Sequence, residues 1–212
     1  MTAASPKPFS SPLYPIVDVD LCRARGLSPQ AVARAFLAAG PGLLQVRQKS
    51  GGSAELLAIV RAAVGVAGAA AAILVNDRAD IAAMAAPAGI HLGQTDLPPA
   101  EARGIVGDAV LCGVSTHTKE QIDAAVGADV DYLAVGPVYR TGTKETGYEP
   151  RGLDLERYAA ASGKPVVAIG GITLERAPGV LAAGATAIAV ISDLLTTGDP
   201  EGRAREYLGA LS

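Results

Sequence analysis

The stretch Ala38-Ala-Gly-Pro-Gly-Leu-Leu-Gln-Val-Arg47 holds a helix end, a glycine turn and an apolar run that turns charged. Two later segments, Val126-Gly-Ala-Asp-Val-Asp-Tyr132 and Ala182-Ala-Gly-Ala-Thr-Ala-Ile188, repeat its helix-to-strand turn. Glycine at such helix ends supplies the left-handed backbone at little steric cost. Working outward, strands are predicted at Leu13–Val17, Leu43–Arg47, Ala72–Asn76, Gly89–Leu92, Val110–Val114, Tyr132–Val135, Pro165–Ile169 and Ala187–Ile191. Helical patterns fall between them at Ser28–Ala39, Ser53–Ala67, Pro98–Ile105, Lys119–Val126, Leu153–Ala161, Leu174–Ala183 and Pro200–Leu211, several opening on Ser, Thr, Asp or Pro. Strands this apolar need cover on both faces, which means a parallel sheet wrapped by helices. Eight such repeats favour an α/β fold closed as a single-domain (β/α)8 TIM barrel. A doubly wound sheet is the runner-up, but the turn after Val17 reads Asp-Val-Asp-Leu-Cys rather than a GxGxxG dinucleotide loop.

Composition fits one domain: 212 residues, 50% of them hydrophobic. Residues 1–12, rich in Ser, Pro and Ala, are expected to form a flexible N-terminal segment ahead of a barrel over 13–212. They lack the apolar core of a secretory signal, and no later run approaches membrane-spanning length. A net charge of -3 without a long basic tract argues against nucleic acid as a partner. Cys22 and Cys112 form neither a CxxC pair nor a disulfide framework, so buried free thiols and a cytoplasmic setting are expected. A homo-oligomer remains open.

In a barrel, the residues just beyond the C-terminal strand ends face one mouth. Strand two delivers Gln45, Arg47 and Lys49; strand three Asn76, Asp77 and Arg78; strand four His91, Gln94 and Asp96; strand five Ser115, Thr116, His117 and Thr118. The longest connection, Gly136 to Gly147, follows strand six and contains Thr141-Gly-Thr-Lys144, small hydroxylic residues with one cation. It reads either as a solvated loop or as a lid over phosphate, and its length favours the lid. Gly170-Gly171 and Ile191-Ser192 occupy the usual place of a phosphate cradle, although a tight turn and a helix cap explain them equally well. Asp77 and Asp96 each read as a helix cap. On neighbouring strands, however, they could share a Mg²⁺, which takes one or two carboxylates and completes its shell with water and phosphate oxygens. His91 reads as a hydrogen-bonded core residue, and His117 as a residue flanking a cap.

The ordered set Gln45-Val-Arg-Gln-Lys49, Asn76-Asp-Arg78, Gly89-Ile-His-Leu-Gly-Gln-Thr-Asp96, Gly113-Val-Ser-Thr-His-Thr118, Gly136-Pro-Val-Tyr139 with Thr141-Gly-Thr-Lys144, Ala168-Ile-Gly-Gly-Ile172 and Val190-Ile-Ser192 resembles the thiamine-phosphate synthase family. That resemblance implies the same barrel. It also implies two small-molecule substrates, a pyrimidine diphosphate and a thiazole phosphate, joined with release of diphosphate. By carry-over, Asp77 and Asp96 hold Mg²⁺, and Gln45, Arg47, Lys49, Asn76, Ser115 and Lys144 contact the pyrimidine diphosphate. Thr141, Gly142, Thr143, Gly171, Ile191 and Ser192 hold the thiazole phosphate. Arg47, Lys49 and Lys144 are then the catalytic cations, stabilising the negative charge that grows on the leaving group.

Three departures stand out: Gln48 where the family usually has an acid, Gly142 where it often has Pro, and a variant start at Leu13-Tyr-Pro-Ile-Val-Asp18. Competing readings are a thiazole tautomerase with His117 as its acid or base, a Schiff-base aldolase using Lys49 or Lys144, and a non-catalytic thiazole-phosphate-binding barrel. The presence of both the diphosphate set and the thiazole set favours the synthase.

Overall fold

A computed structural model describes residues 9–142 and 147–212. Nearly every residue of the apolar runs is buried. The runs form strands β1 (Leu13–Asp18), β2 (Leu43–Arg47), β3 (Ala72–Asn76), β4 (Gly89–Leu92), β5 (Leu111–Thr116), β6 (Tyr132–Val135), β7 (Val166–Ile169) and β8 (Ala187–Val190). They pair in parallel and in sequence order, and β8 closes back onto β1. The expected (β/α)8 barrel is therefore the fold.

Side chains alternate across each strand, and two separate cores result. Tyr14, Ile16, Leu43, Leu74, Tyr132, Val167 and Ala189 fill the barrel interior. The opposite strand faces meet the helices in the outer layer, where Val17, Val46, Phe36, Leu56 and Ile59 pack on one side of the barrel and Ile90, Leu133 and Ile122 on the other. Burying each such Leu, Ile or Phe contributes about 1.5–3 kcal/mol. Gly113 makes the interior packing possible: a Cβ there would lie 2.0 Å from Tyr132 Cζ, so the phenol ring occupies the space a side chain would take.

The helices begin where capping chemistry places them. Asp18 caps α1 (Val19–Ala24), Ser28 caps α2 (Pro29–Ala39), Thr118 caps α6 (Lys119–Val126) and Asp199 caps α9 (Pro200–Ala210). Between these lie α3 (Ser53–Ala67), α4 (Ala79–Ala85), α5 (Pro99–Val106), α7 (Gly152–Ala160) and α8 (Ala177–Ala182), and a 3-10 helix (Ser192–Leu195) precedes α9. The short α1 and α4 fall outside the helical stretches the sequence pattern marks out. β5 runs two residues past its predicted end, and α8 starts three residues late. No helix among the described residues is long and apolar enough to cross a membrane, and Cys22 and Cys112 are buried free thiols. Of the segment expected to be flexible, residues 1–8 lie outside the described residues. Residues 9–12 lie against the barrel, with Phe9 edge-on to Tyr132 at 5.4 Å.

Glu156 on α7 is fully buried, and neither carboxyl oxygen has a hydrogen-bond partner among the described residues. Burial pushes its pKa up to about 8. The folded chain therefore holds this proton across a range in which the unfolded chain has released it, so stability falls as pH rises towards about 8 and levels off above it. Between about pH 5 and pH 8 the expected loss is on the order of 3 kcal/mol. Urea unfolding of wild type and Glu156→Gln at both pH values checks this: the variant should lose the slope, and an equal slope in both proteins would refute it.

Candidate active site

At the C-terminal end of the barrel a deep cavity opens into a wider vestibule. Gln45, Asn76, His91 and Ser115 from β2 to β5 line the cavity on one side, and Gly171, Ile191 and Ser192 from the turns after β7 and β8 line it on another. Asp18, Asp20, Lys49, Asp96 and Gly142 line the vestibule, and Arg47 and His117 border both spaces.

Arg47 ends β2 directly opposite Asp18 in the strand register, and the two form an ion pair with side chains 11% and 3% exposed. Asp18 also accepts the Leu21 N–H at 2.9 Å, so one carboxylate caps α1 and orients the guanidinium. Asp20 accepts the backbone N–H groups of Lys49 and Ser50 at 2.7 and 3.2 Å, which fixes the loop after β2. Gln48, the departure from an acidic residue, points away to Glu55. Support for the two cations comes from Asp18 and Asp20 instead.

Asp77 and Asp96 do not act as caps. Asp77 lies in the left-handed region at φ 64°, and its N–H donates to the His91 carbonyl at 2.7 Å. The residue at the α4 cap position is Arg78, and Pro98 holds that position for α5. Asp96 closes its own turn by accepting the Gly93 N–H at 2.7 Å. The two carboxyls are in hydrogen-bond contact, and Lys49 pairs with Asp77. Burial, followed by the neighbouring Asp96, raises the Asp77 pKa above the usual carboxylate range, while Lys49 opposes the rise. Two acids sharing one space favour a proton or a cation between them, and two carboxylates on hard oxygen donors suit Mg²⁺. Among the described residues no group of three or more His, Cys, Asp or Glu could hold a metal, so substrate and water oxygens would have to complete the shell. Nearby, Asn76 Nδ2 is buried without a hydrogen-bond partner among the described residues, an unspent donor beside the cavity.

On the far side, Gly170 and Gly171 have φ of 104° and 62°. A Cβ on Gly171 would lie 2.4 Å from the Arg140 carbonyl oxygen, so the turn accepts no side chain. Arg176 donates to the Gly171 carbonyl at 2.8 Å and lies over the Tyr139 ring. Ser192 opens the 3-10 helix, and its neighbour Asp193 is gripped by Arg203 at 2.8 Å and Tyr207 at 2.6 Å. Gly142 differs from these glycines: a Cβ there meets nothing within 4 Å.

A model of a family described as thiamine monophosphate synthase matches residues 13–194. The chain belongs to that family. Its curated relatives are named thiamine-phosphate synthases, and this chain is a transferase. It is 42% identical over 205 residues to a thiamine-phosphate synthase of Koribacter versatilis, covering 94% of this chain and 95% of the relative. A thiamine-phosphate synthase of Mycolicibacterium vanbaalenii is 45% identical over 196 residues, covering 85% and 86%. Among solved structures, thiamine phosphate pyrophosphorylase from Pyrococcus furiosus superposes with a TM-score of 0.86 at 26% identity over 96% of each chain.

Of the residues singled out in the sequence, Gln45, Arg47, Lys49, Asn76, Asp96, Ser115, Thr141, Gly142, Gly171, Ile191 and Ser192 border the two connected spaces, and Asp77 joins them through Lys49 and Asp96. Thr143 and Lys144 lie outside the described residues. Sequence reading passed over Asp18 and Asp20. The polar end of β1, gathered with those of the other strands, marks them.

Proposed function

We propose that the protein couples 4-amino-2-methyl-5-hydroxymethylpyrimidine diphosphate to 4-methyl-5-(2-phosphoethyl)thiazole, forming thiamine phosphate and diphosphate. The observation that carries this reading is the gathering of Arg47, Lys49, Asp77 and Asp96 around the vestibule, next to a cavity that Arg47 also borders and that the Gly171 and Ser192 turns line. The thiazole nitrogen forms a C–N bond to the methylene carbon as the C–O bond to diphosphate breaks. An early break leaves positive charge on the aminopyrimidine and negative charge on the leaving group, so no protein nucleophile is needed.

Asp77 and Asp96 would hold Mg²⁺, which when bound supplies charge neutralisation for diphosphate. Arg47 contributes a guanidinium already oriented by Asp18, so little reorganisation is required as charge develops. Lys49, paired with Asp77, adds a point charge, and Asn76 Nδ2 gains the partner it lacks. The Gly171 and Ser192 turns hold the thiazole phosphate and keep the nucleophile in place. Lys144 and Thr143, in the loop next to Thr141, belong to the same reading.

A tautomerase would need no diphosphate group, yet the Arg47–Asp18 and Lys49–Asp77 pairs are built at the mouth. His117 is engaged by the Gly136 carbonyl at 2.5 Å and stacks on Tyr148, which suits a fixed wall. Lys49, paired with an acid, is poorly set up for Schiff-base chemistry. Mixing purified protein with both phosphorylated halves and Mg²⁺ tests the proposal. Diphosphate should appear only when the thiazole is present; release without it, or none at all, would overturn the reading.

A further inference from the structure

Beneath the cavity floor, a line of buried polar groups crosses the barrel interior. Gln45 Nε2 donates to the Tyr14 hydroxyl at 2.8 Å, and the Tyr14 and Tyr132 hydroxyls are 3.1 Å apart. The Tyr132 hydroxyl meets His91 Nδ1 at 2.8 Å, and His91 Nε2 meets Ser115 Oγ at 2.9 Å. Every member is at most 7% exposed. Gln45 and Ser115, at the two ends, line the cavity, whereas Tyr14 and Tyr132 lie beneath it.

We propose that Tyr14, Tyr132 and His91 are positioning residues. They form a one-way hydrogen-bond relay that presents Gln45 to the cavity as an acceptor and Ser115 as a donor, thereby selecting an aminopyrimidine over its oxo counterpart. The inference rests on the function proposed above. Its basis is proton counting. A phenol carries one proton, and burial holds both tyrosines in that form by raising their pKa values. Because Gln45 donates to Tyr14, the acceptor left in this line for the Tyr14 proton is the Tyr132 oxygen, and the acceptor for the Tyr132 proton is then His91 Nδ1. An imidazole bearing one N–H then carries it on Nε2 and donates to Ser115 Oγ, whose remaining proton points onward.

The amide spends an N–H on the relay and keeps its carbonyl oxygen for the cavity. An aminopyrimidine brings an exocyclic N–H and bare ring nitrogens, which meet that acceptor and that donor. Its oxo counterpart has the same outline but presents a carbonyl and a ring N–H. To accept it, Gln45 would have to flip and every proton in the line would have to reverse. Discrimination of this kind is large because the wrong partner leaves buried polar groups unpaired. Gly113 belongs to the same device, since its missing side chain makes room for the Tyr132 ring.

Tyr132→Phe removes one hydroxyl and keeps the ring. Wild type should prefer the amino diphosphate over 2-methyl-4-oxo-5-hydroxymethylpyrimidine diphosphate by about 100-fold or more in kcat/KM, and the variant should lose about tenfold of that preference. The loss should appear in KM for the pyrimidine, with KM for the thiazole phosphate unchanged. A folded variant with the wild-type preference would overturn the relay. Should the variant not fold, nitrogen NMR of the wild-type imidazoles decides, since the chain has 2 histidines to assign. A proton on His91 Nε2 supports the relay, and a proton on Nδ1 refutes it. Failure of wild type to release diphosphate in the coupled assay would sink the functional reading, while the tautomer measurement still judges the relay.

Discussion

Turnover in Asp77→Asn is expected to fall by about 10²- to 10³-fold, as is turnover in Asp96→Asn, with the double variant scarcely worse than either single one. The non-additivity follows from the geometry. Asp96 acts directly on Asp77 and Lys49 pairs with Asp77, so removing either acid would dismantle the one cation site proposed for them. A readout independent of catalysis is Mg²⁺ binding measured by calorimetry in the presence of diphosphate, which both variants should lose. The sign of the pH effect is fixed as well. Because burial and Asp96 hold the Asp77 proton above the usual carboxylate range, a proton would compete with the proposed metal, and Mg²⁺ affinity should rise with pH in wild type. Full turnover in either variant, or Mg²⁺ binding that strengthens as pH falls, would remove the metal from these residues.

Arg47→Ala should lower turnover by about 10³-fold, and it should also cost stability because Asp18 is left charged and nearly buried. The stability loss is about 2 kcal/mol, below that of a deeply buried broken pair, because Arg47 retains some solvent contact. The two effects separate in Arg47→Ala combined with Asp18→Asn. Asn still caps α1, so thermal stability should recover while turnover stays low. Recovery of turnover in the double variant would mean that Arg47 only neutralises Asp18. Arg47→Lys should keep charge but lose the orientation set by the ion pair, placing its turnover between wild type and the alanine variant.

The strands were legible because continuous apolar runs of four to six residues bounded by polar residues have few other readings. The mouth was legible for the same reason: in a closed barrel, polar residues after strands converge whatever the register. α1 and α4, six and seven residues long, are too short for a 3.6-residue period to show. The interior relay was hidden for a different reason. Tyr14 and Tyr132 are 118 residues apart and resemble ordinary strand aromatics until closure brings their hydroxyls together. His91, a core residue in the sequence reading, is buried and hydrogen-bonded, and it also borders the cavity. The metal-binding roles proposed for Asp77 and Asp96 could not be separated from capping by sequence, since a cap and a metal ligand would place the same residue type at the same strand end.

The grip of α9 on the 3-10 helix ties one wall of the cavity to a late stretch of chain. Arg203 and Tyr207 clasp Asp193 beside Ser192, and Arg205 reaches across to the Ala38 carbonyl at the end of α2. A polypeptide emerging from the ribosome can assemble β1 to β8 in turn, yet its Ser192 corner stays unbraced until residues 200–210 have cleared the exit tunnel. On the function proposed above, phosphate capture should therefore be among the last properties the nascent molecule acquires, well after its central staves have formed.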